Sequence, residues 1–192
     1  DTYTGVQIIA TGSSSFDLAN KINEPLTGRA FEFTLMPLSL SEIRGNDVLS
    51  KDALIECMRL GTYPAVVGES DRSAKEDILL NIATNYLYKD IFLFESIKSP
   101  KVLEDLLKAL ALQLGNLVSV HELSELLGVS RATVDKYLRL LEQTFVIFRL
   151  PSFSRNPRTE LKKAFKAYFV DLGVRNAIID NIASVPDRPD KG

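Results

Sequence analysis

The chain has 192 residues, 45% of them apolar and 25% charged, with ten Gly and eight Pro, a balance that suits a folded protein with its own core and excludes disordered or fibrous chains. No run approaches the roughly 18 apolar residues that cross a bilayer, and no basic flank leads into an apolar stretch at the start, so a cytoplasmic protein with no membrane partner is expected. The formal charge of −2 conceals an asymmetry: residues 131–166 hold nine Lys/Arg against three acidic residues, a net +6, which leaves −8 on the rest and confines any polyanion contact to that stretch.

In chain order, Val6–Ala10 is short, apolar and β-branched and reads as a buried strand of a parallel sheet, whose neighbours require further βα units. Thr11-Gly12-Ser13-Ser14-Ser15 then ends the strand with several N–H and hydroxyl groups at its carboxyl edge, where open α/β sheets place ligands; taken alone it is an ordinary strand-to-helix turn. A helix is expected from Phe16 to Ile22. Apolar and polar positions alternate over Ala30–Leu35, predicting a second strand that ends before Pro37.

From Ser41 the pattern turns helical. Ile78, Leu79, Ile82, Ala83 and Tyr86 recur on one helical face, as do Val102, Leu103, Leu106, Leu107, Leu110 and Leu114, with Pro100 in the first turn of the second helix. Turn residues from Gly61 to Gly68 interrupt these helices. Cys57 stands alone beside Ile55 and Met58 and reads as a core thiol; with one Cys and one His there is no internal disulfide and no zinc site of usual spacing, and a catalytic triad would have to converge on His121.

Ser119 and Glu122 have the spacing of a capping box. A short helix runs to Leu127, Gly128-Val129-Ser130 makes a tight turn with Ser130 as the next N-cap, and Val134, Tyr137, Leu138 and Leu141 give the second helix one apolar face. Helix, three-residue turn and helix is the helix-turn-helix pattern. Two β-rich stretches, Phe145–Leu150 and Ala167–Val170, are expected to pair as a wing. Arg131, Thr133, Lys136 and Arg139 lie off the apolar face of the second helix, and Arg155, Arg158, Lys162 and Lys163 extend the basic surface, so duplex DNA is the expected partner, although Asp135 interrupts the positive face.

Thr11–Ser14, Leu26–Arg29 and Pro37-Leu38-Ser39 with Glu42, read together, resemble a family of AAA+ ATPases from bacteria and archaea. The later stretches LEQTFVIFRLPSFSRNPRTELKK (141–163) and KAYFVDLGVRNAI (166–178) are similar to the region that follows the ATPase core in those proteins. The resemblance implies that Thr11 and Ser13 lie in the sensor-1 region, where a strand-tip hydroxyl feels the γ-phosphate, and that Arg29 acts in trans or contacts nucleotide; taken alone, Arg29 reads equally as closing its loop by bonding carbonyls. It also implies ATP and Mg²⁺ as cofactors of the full-length parent. No G-x-x-x-x-G-K-[ST] and no strand ending in an Asp-Glu pair occur in these 192 residues, so no cofactor, no metal site and no ATP turnover are expected of this fragment alone. Asp171 precedes, in the family, a nuclease-like domain; here its expected role is to cap the helix beginning near Gly173.

The expected architecture is α+β: a remnant of an α/β P-loop core with two strands and a helix over residues 1–40, a helical lid over 41–112, a winged helix-turn-helix over 113–172, and over 173–192 a linker or the start of the nuclease-like domain. The expected function is nucleotide sensing and DNA-associated work within a P-loop ATPase. Two rival readings are a non-enzymatic winged-helix DNA-binding regulator and a protein-interaction scaffold. Self-association is expected of the unpartnered N-terminal strands.

Overall fold

The computed structural model describes residues 33–45, 47–86, 99–152 and 164–183, with residues 9, 11, 31 and 97 besides. Helices begin where the sequence supplies an acceptor for their free N–H groups. Ser39 opens α1 (Leu40–Arg44): its Oγ accepts from the Glu42 N–H at 3.3 Å while Glu42 Oε2 accepts from the Ser39 N–H at 2.8 Å, a complete capping box. Ser50 caps α2 (Lys51–Leu60), accepting from the Ala53 N–H at 3.1 Å. Pro64 starts α3 (Pro64–Val67), where its missing N–H costs nothing. Asp71 caps α4 (Arg72–Asn81), which runs on into a π-helical turn (Ile82–Tyr86).

The second half is built around α5 (Pro100–Leu112). β1 (Leu117–Val118), α6 (Val120–Leu127), α7 (Arg131–Gln143), β2 (Ile147–Pro151), β3 (Phe165–Phe169) and α8 (Leu172–Ile178) follow in order. The strands form one antiparallel sheet with β3 in the middle, in the order β1-β3-β2. Ile147 pairs with Phe169 and Pro151 with Phe165, while Leu117 pairs with Lys166. The described residues are thus mixed α and β, with a small antiparallel sheet.

Among the described residues an apolar cluster joins all of these elements except α1. The leucines spaced three and four apart on α5 (Leu103, Leu106, Leu107 and Leu110) are fully buried, and they meet Leu123 of α6, Leu138 and Leu141 of α7, and Phe169 and Val174 near the end of the chain. Each such leucine contributes on the order of 2 kcal/mol by leaving water. Leu60 of α2 and Leu79 of α4 belong to the same cluster. The helix expected near Gly173, at the start of the stretch expected as a linker or the start of the nuclease-like domain, is α8, and it buries Val174 and Ile178 in that cluster.

Three local expectations turn out differently. Ile9, expected in a buried strand, is 79% exposed and outside any strand; Phe31 and Phe33–Met36 likewise pair with no strand among the described residues, Phe33 being 84% and Leu35 95% exposed. A parallel strand is defined by its ladder partners, and no described residue offers these segments one. The rest of the α/β remnant, including Phe16–Ile22, lies outside the described residues. At Ser119 only half of the capping box forms: Ser119 Oγ accepts from the Glu122 N–H at 3.1 Å, but the Glu122 carboxylate faces Gln113 Nε2 at 3.5 Å instead of reaching back to the cap.

Candidate functional site

The turn between α6 and α7 fixes how α7 is presented. Gly128 adopts φ 65° and ψ 31°, the left-handed conformation that ends α6. Two residues later Ser130 accepts from the Thr133 N–H at 3.1 Å and starts α7. Val134, Tyr137, Leu138, Leu140 and Leu141 are buried, which turns Arg131, Lys136 and Arg139 to solvent. Thr133 is half-buried, and its hydroxyl shares a 2.9 Å hydrogen bond with Ser130 Oγ, so it belongs to the cap. Arg139 Nε donates to the Asp135 carbonyl at 3.4 Å. At the far end of α7, Glu142 receives the Arg149 guanidinium at 2.6 Å and ties α7 to the edge strand β2.

Three guanidinium or ammonium groups on one exposed helix face can neutralise several phosphates. Of the residues expected to extend this surface, Arg155, Arg158, Lys162 and Lys163 lie outside the described residues, as do Ser13 and Arg29 of the expected nucleotide-sensing group. Thr11 is described and exposed. Among the described residues no group of three or more His, Cys, Asp and Glu side chains is placed to hold a metal ion, and no helix is long and apolar enough to cross a membrane.

Another polar cluster among the described residues joins α2 to α8. The carboxylate of Asp171 accepts from the Thr62 N–H at 2.7 Å and from the Val174 N–H at 2.9 Å, the latter capping α8 as expected. Burial pushes this carboxyl above its ordinary value, while the N–H groups of Thr62, Val174 and Gly173 pull it back. Asn176 Nδ2 donates to the carbonyls of Met58 at 3.0 Å and Arg59 at 2.8 Å, closing the C-terminal end of α2. Arg175, also buried, donates from Nε to the Ala111 carbonyl at 2.8 Å. Buried Arg59 binds the Ile182 carbonyl at 2.5 Å and pairs with Glu76. The Leu38 N–H, at the edge of α1, donates to the Thr62 carbonyl at 2.9 Å.

Glycine is required twice here. A Cβ on Gly61, whose φ is 78°, would lie 2.0 Å from Asp171 Oδ1, and one on Gly173 would lie 2.1 Å from the Leu60 carbonyl oxygen. Sequence alone marks Gly61 as a turn and Asp171 as a cap without connecting them, and it gives no sign of Arg59, Arg175 or Asn176. Beside this cluster a cleft of about 190 Å³ opens between α2, α3 and α4, lined by Cys57, Leu60, Val66 and Lys75 among others. Cys57, expected as a core thiol, is instead half-buried on this cleft and outside the apolar cluster, and burial raises its thiol above its ordinary value.

A family model described as an AAA domain matches residues 1–44, and one described as a domain of unknown function (DUF8612) matches residues 51–184. An uncharacterized protein of Haemophilus influenzae is 30% identical over 183 residues, covering 90% of this chain and 46% of the relative. An uncharacterized protein of Methanocaldococcus jannaschii is 26% identical over 174 residues, covering 81% of this chain and 40% of the relative. The chain therefore spans less than half the length of both curated relatives. No solved structure matches it.

Proposed function

The chain belongs to the family of the domain of unknown function DUF8612, and from that premise we propose that it is the DNA-binding part of an AAA-type ATPase, carried with the end of the ATPase core. The match of an AAA domain to residues 1–44, immediately before the family domain, supports the first element. In this reading Thr11, Ser13 and Arg29 sense nucleotide, residues 41–112 act as the helical lid, and ATP and Mg²⁺ are held by elements outside these 192 residues. The chain's own described residues supply neither the phosphate-binding lysine nor an acidic pair, so no hydrolytic step is assigned to them.

The second element is a winged helix with α7 as its recognition helix. What supports it is the order of α5, β1, α6, the three-residue turn, α7, β2 and β3 with β3 central in the sheet. The observation that carries the DNA reading is the presentation of Arg131, Lys136 and Arg139 on the exposed side of a helix whose other side is fully anchored. Thr133 sits at the start of that helix within its cap. Arg155, Arg158, Lys162 and Lys163 add positive charge in the sequence joining β2 to β3.

Fluorescence anisotropy with a labelled duplex, at two or more salt concentrations, tests this. Affinity should fall with salt, and replacing Arg131, Lys136 and Arg139 together by Ala should weaken binding on all duplex sequences alike, lowering the log–log salt slope by about 0.9 for each phosphate that is no longer neutralised. Affinity indifferent to salt and to the triple substitution would overturn the reading.

A further inference from the structure

The two faces of the sheet are unequally used. Val118, Ile147, Phe165, Ala167 and Phe169 are buried against the helices, as the two-residue period of a strand dictates. The opposite face carries Leu117, Phe148, Leu150, Lys166 and Tyr168. Three of these are large apolar side chains in water: Leu117 is 61%, Phe148 50% and Leu150 55% exposed. Phe148 lies directly across from Tyr168, their rings 5.5 Å apart and 20° from parallel, and Lys166 stands between Leu117 on one side and Leu150 on the other.

This combination has a specific chemistry. Near-parallel aromatic rings on an open sheet offer a π-face to any flat heterocycle, and a lysine beside them offers a charge to the phosphate that accompanies it. Lys166 sets a positive charge between these apolar side chains, which favours a polyanion on this face over an apolar protein surface. A base inside a duplex has its faces covered by its neighbours, so only an unpaired base can use such a platform. We propose that the outer face of the sheet binds single-stranded nucleic acid, an unpaired base stacking on the Phe148–Tyr168 pair while Lys166 meets the backbone. This goes beyond the duplex reading of α7 and does not rest on it.

The test uses the full 192-residue chain and a fluorescein-labelled oligothymidine strand of about a dozen nucleotides, within the site sizes of single-strand-binding folds. Phe148→Leu keeps apolar area but removes the ring; it should weaken oligothymidine binding by about ten-fold, the scale of one stacked base, and leave duplex affinity within about two-fold. Phe148→Tyr, which keeps the ring, should bind as the natural chain does. Replacing Arg131, Lys136 and Arg139 by Ala should do the reverse, weakening duplex binding more than oligothymidine binding, so failure of one reading is distinguishable from failure of the other. Absence of oligothymidine binding, or a Phe148→Leu chain that binds it as well as the natural one, overturns the proposal. So does equal loss on single strand and duplex.

Discussion

The N–H of Thr62 donates to Oδ2 of Asp171 at 2.7 Å across 109 positions of sequence. The other carboxylate oxygen is taken by the Val174 N–H, so both oxygens must act as acceptors. Asp171→Asn replaces one of them with an amide that can only donate, setting donor against donor in a buried place. The substitution should lower stability by about 1–3 kcal/mol, measured as a shift of the denaturant midpoint with an unchanged slope. A stability equal to that of the natural chain would mean that the carboxylate is not a structural acceptor.

Gly61 and Gly173 should tolerate no side chain. Alanine at either forces a methyl group into Asp171 or into the Leu60 carbonyl, and the expected loss is about 3 kcal/mol or more, since neither neighbour can swing away. Gly128 is the control: its φ is also positive, but a Cβ there meets nothing within 4 Å. Gly128→Ala should cost only about 1–2 kcal/mol of backbone strain. Thermal unfolding of the three variants side by side checks the ranking.

Acid should fray α1. The backbone N–H and the hydroxyl of Ser39 hold the Glu42 carboxyl below its ordinary value. A lowered folded value means that the contribution to stability is present above the ordinary glutamate range and is lost as pH falls through the folded value. Hydrogen exchange at Leu40–Arg44 should therefore speed up on acidification, corrected for the intrinsic pH dependence. Glu42→Gln, which can still cap but cannot titrate, should show no such change.

The exposed run Phe31, Phe33, Leu35 and Met36 should make the chain self-associate as concentration rises. Sedimentation velocity of the natural chain and of a Phe33→Ser, Leu35→Ser double variant should separate the two, the variant remaining monomeric to higher concentration. A natural chain that stays monomeric throughout would contradict this.

ATP turnover should be absent from the purified 192-residue chain, as its sequence contains no phosphate-binding loop. Phosphate release that Thr11→Ala abolishes would refute the expectation.

How far the sequence can be read depends on the reach of each interaction. The apolar faces of α5 and α7 are legible because their period is local: Leu103, Leu106, Leu107 and Leu110 fall on one side of any helix they occupy. The Asp171 cap and the Gly128 turn are legible for the same reason. Arg59 and Arg175 are not, because each donates to a carbonyl 123 or 64 positions away, and a backbone acceptor leaves no residue-type signature. The capping box forms at a different place from the one expected: Ser39 and Glu42 have the required spacing but introduce only five helical residues, whereas Ser119 and Glu122 precede a stronger apolar pattern and complete only half of it. β1, two residues long, is too short for any alternation to show. On the basic side, α7 places Arg131, Lys136 and Arg139 outward as the helical period demands.

The peptide groups on either side of Thr62 are both engaged, its carbonyl by the Leu38 N–H and its N–H by Asp171. A residue pinned in this way works as a strut. It cannot rotate without breaking one of its two bonds, which ties the segment entering α1 to the start of α8. Since α8 follows β3 after two residues, the two hydrogen bonds of Thr62 form an unbroken chain of contacts from the segment entering α1 to the end of the sheet.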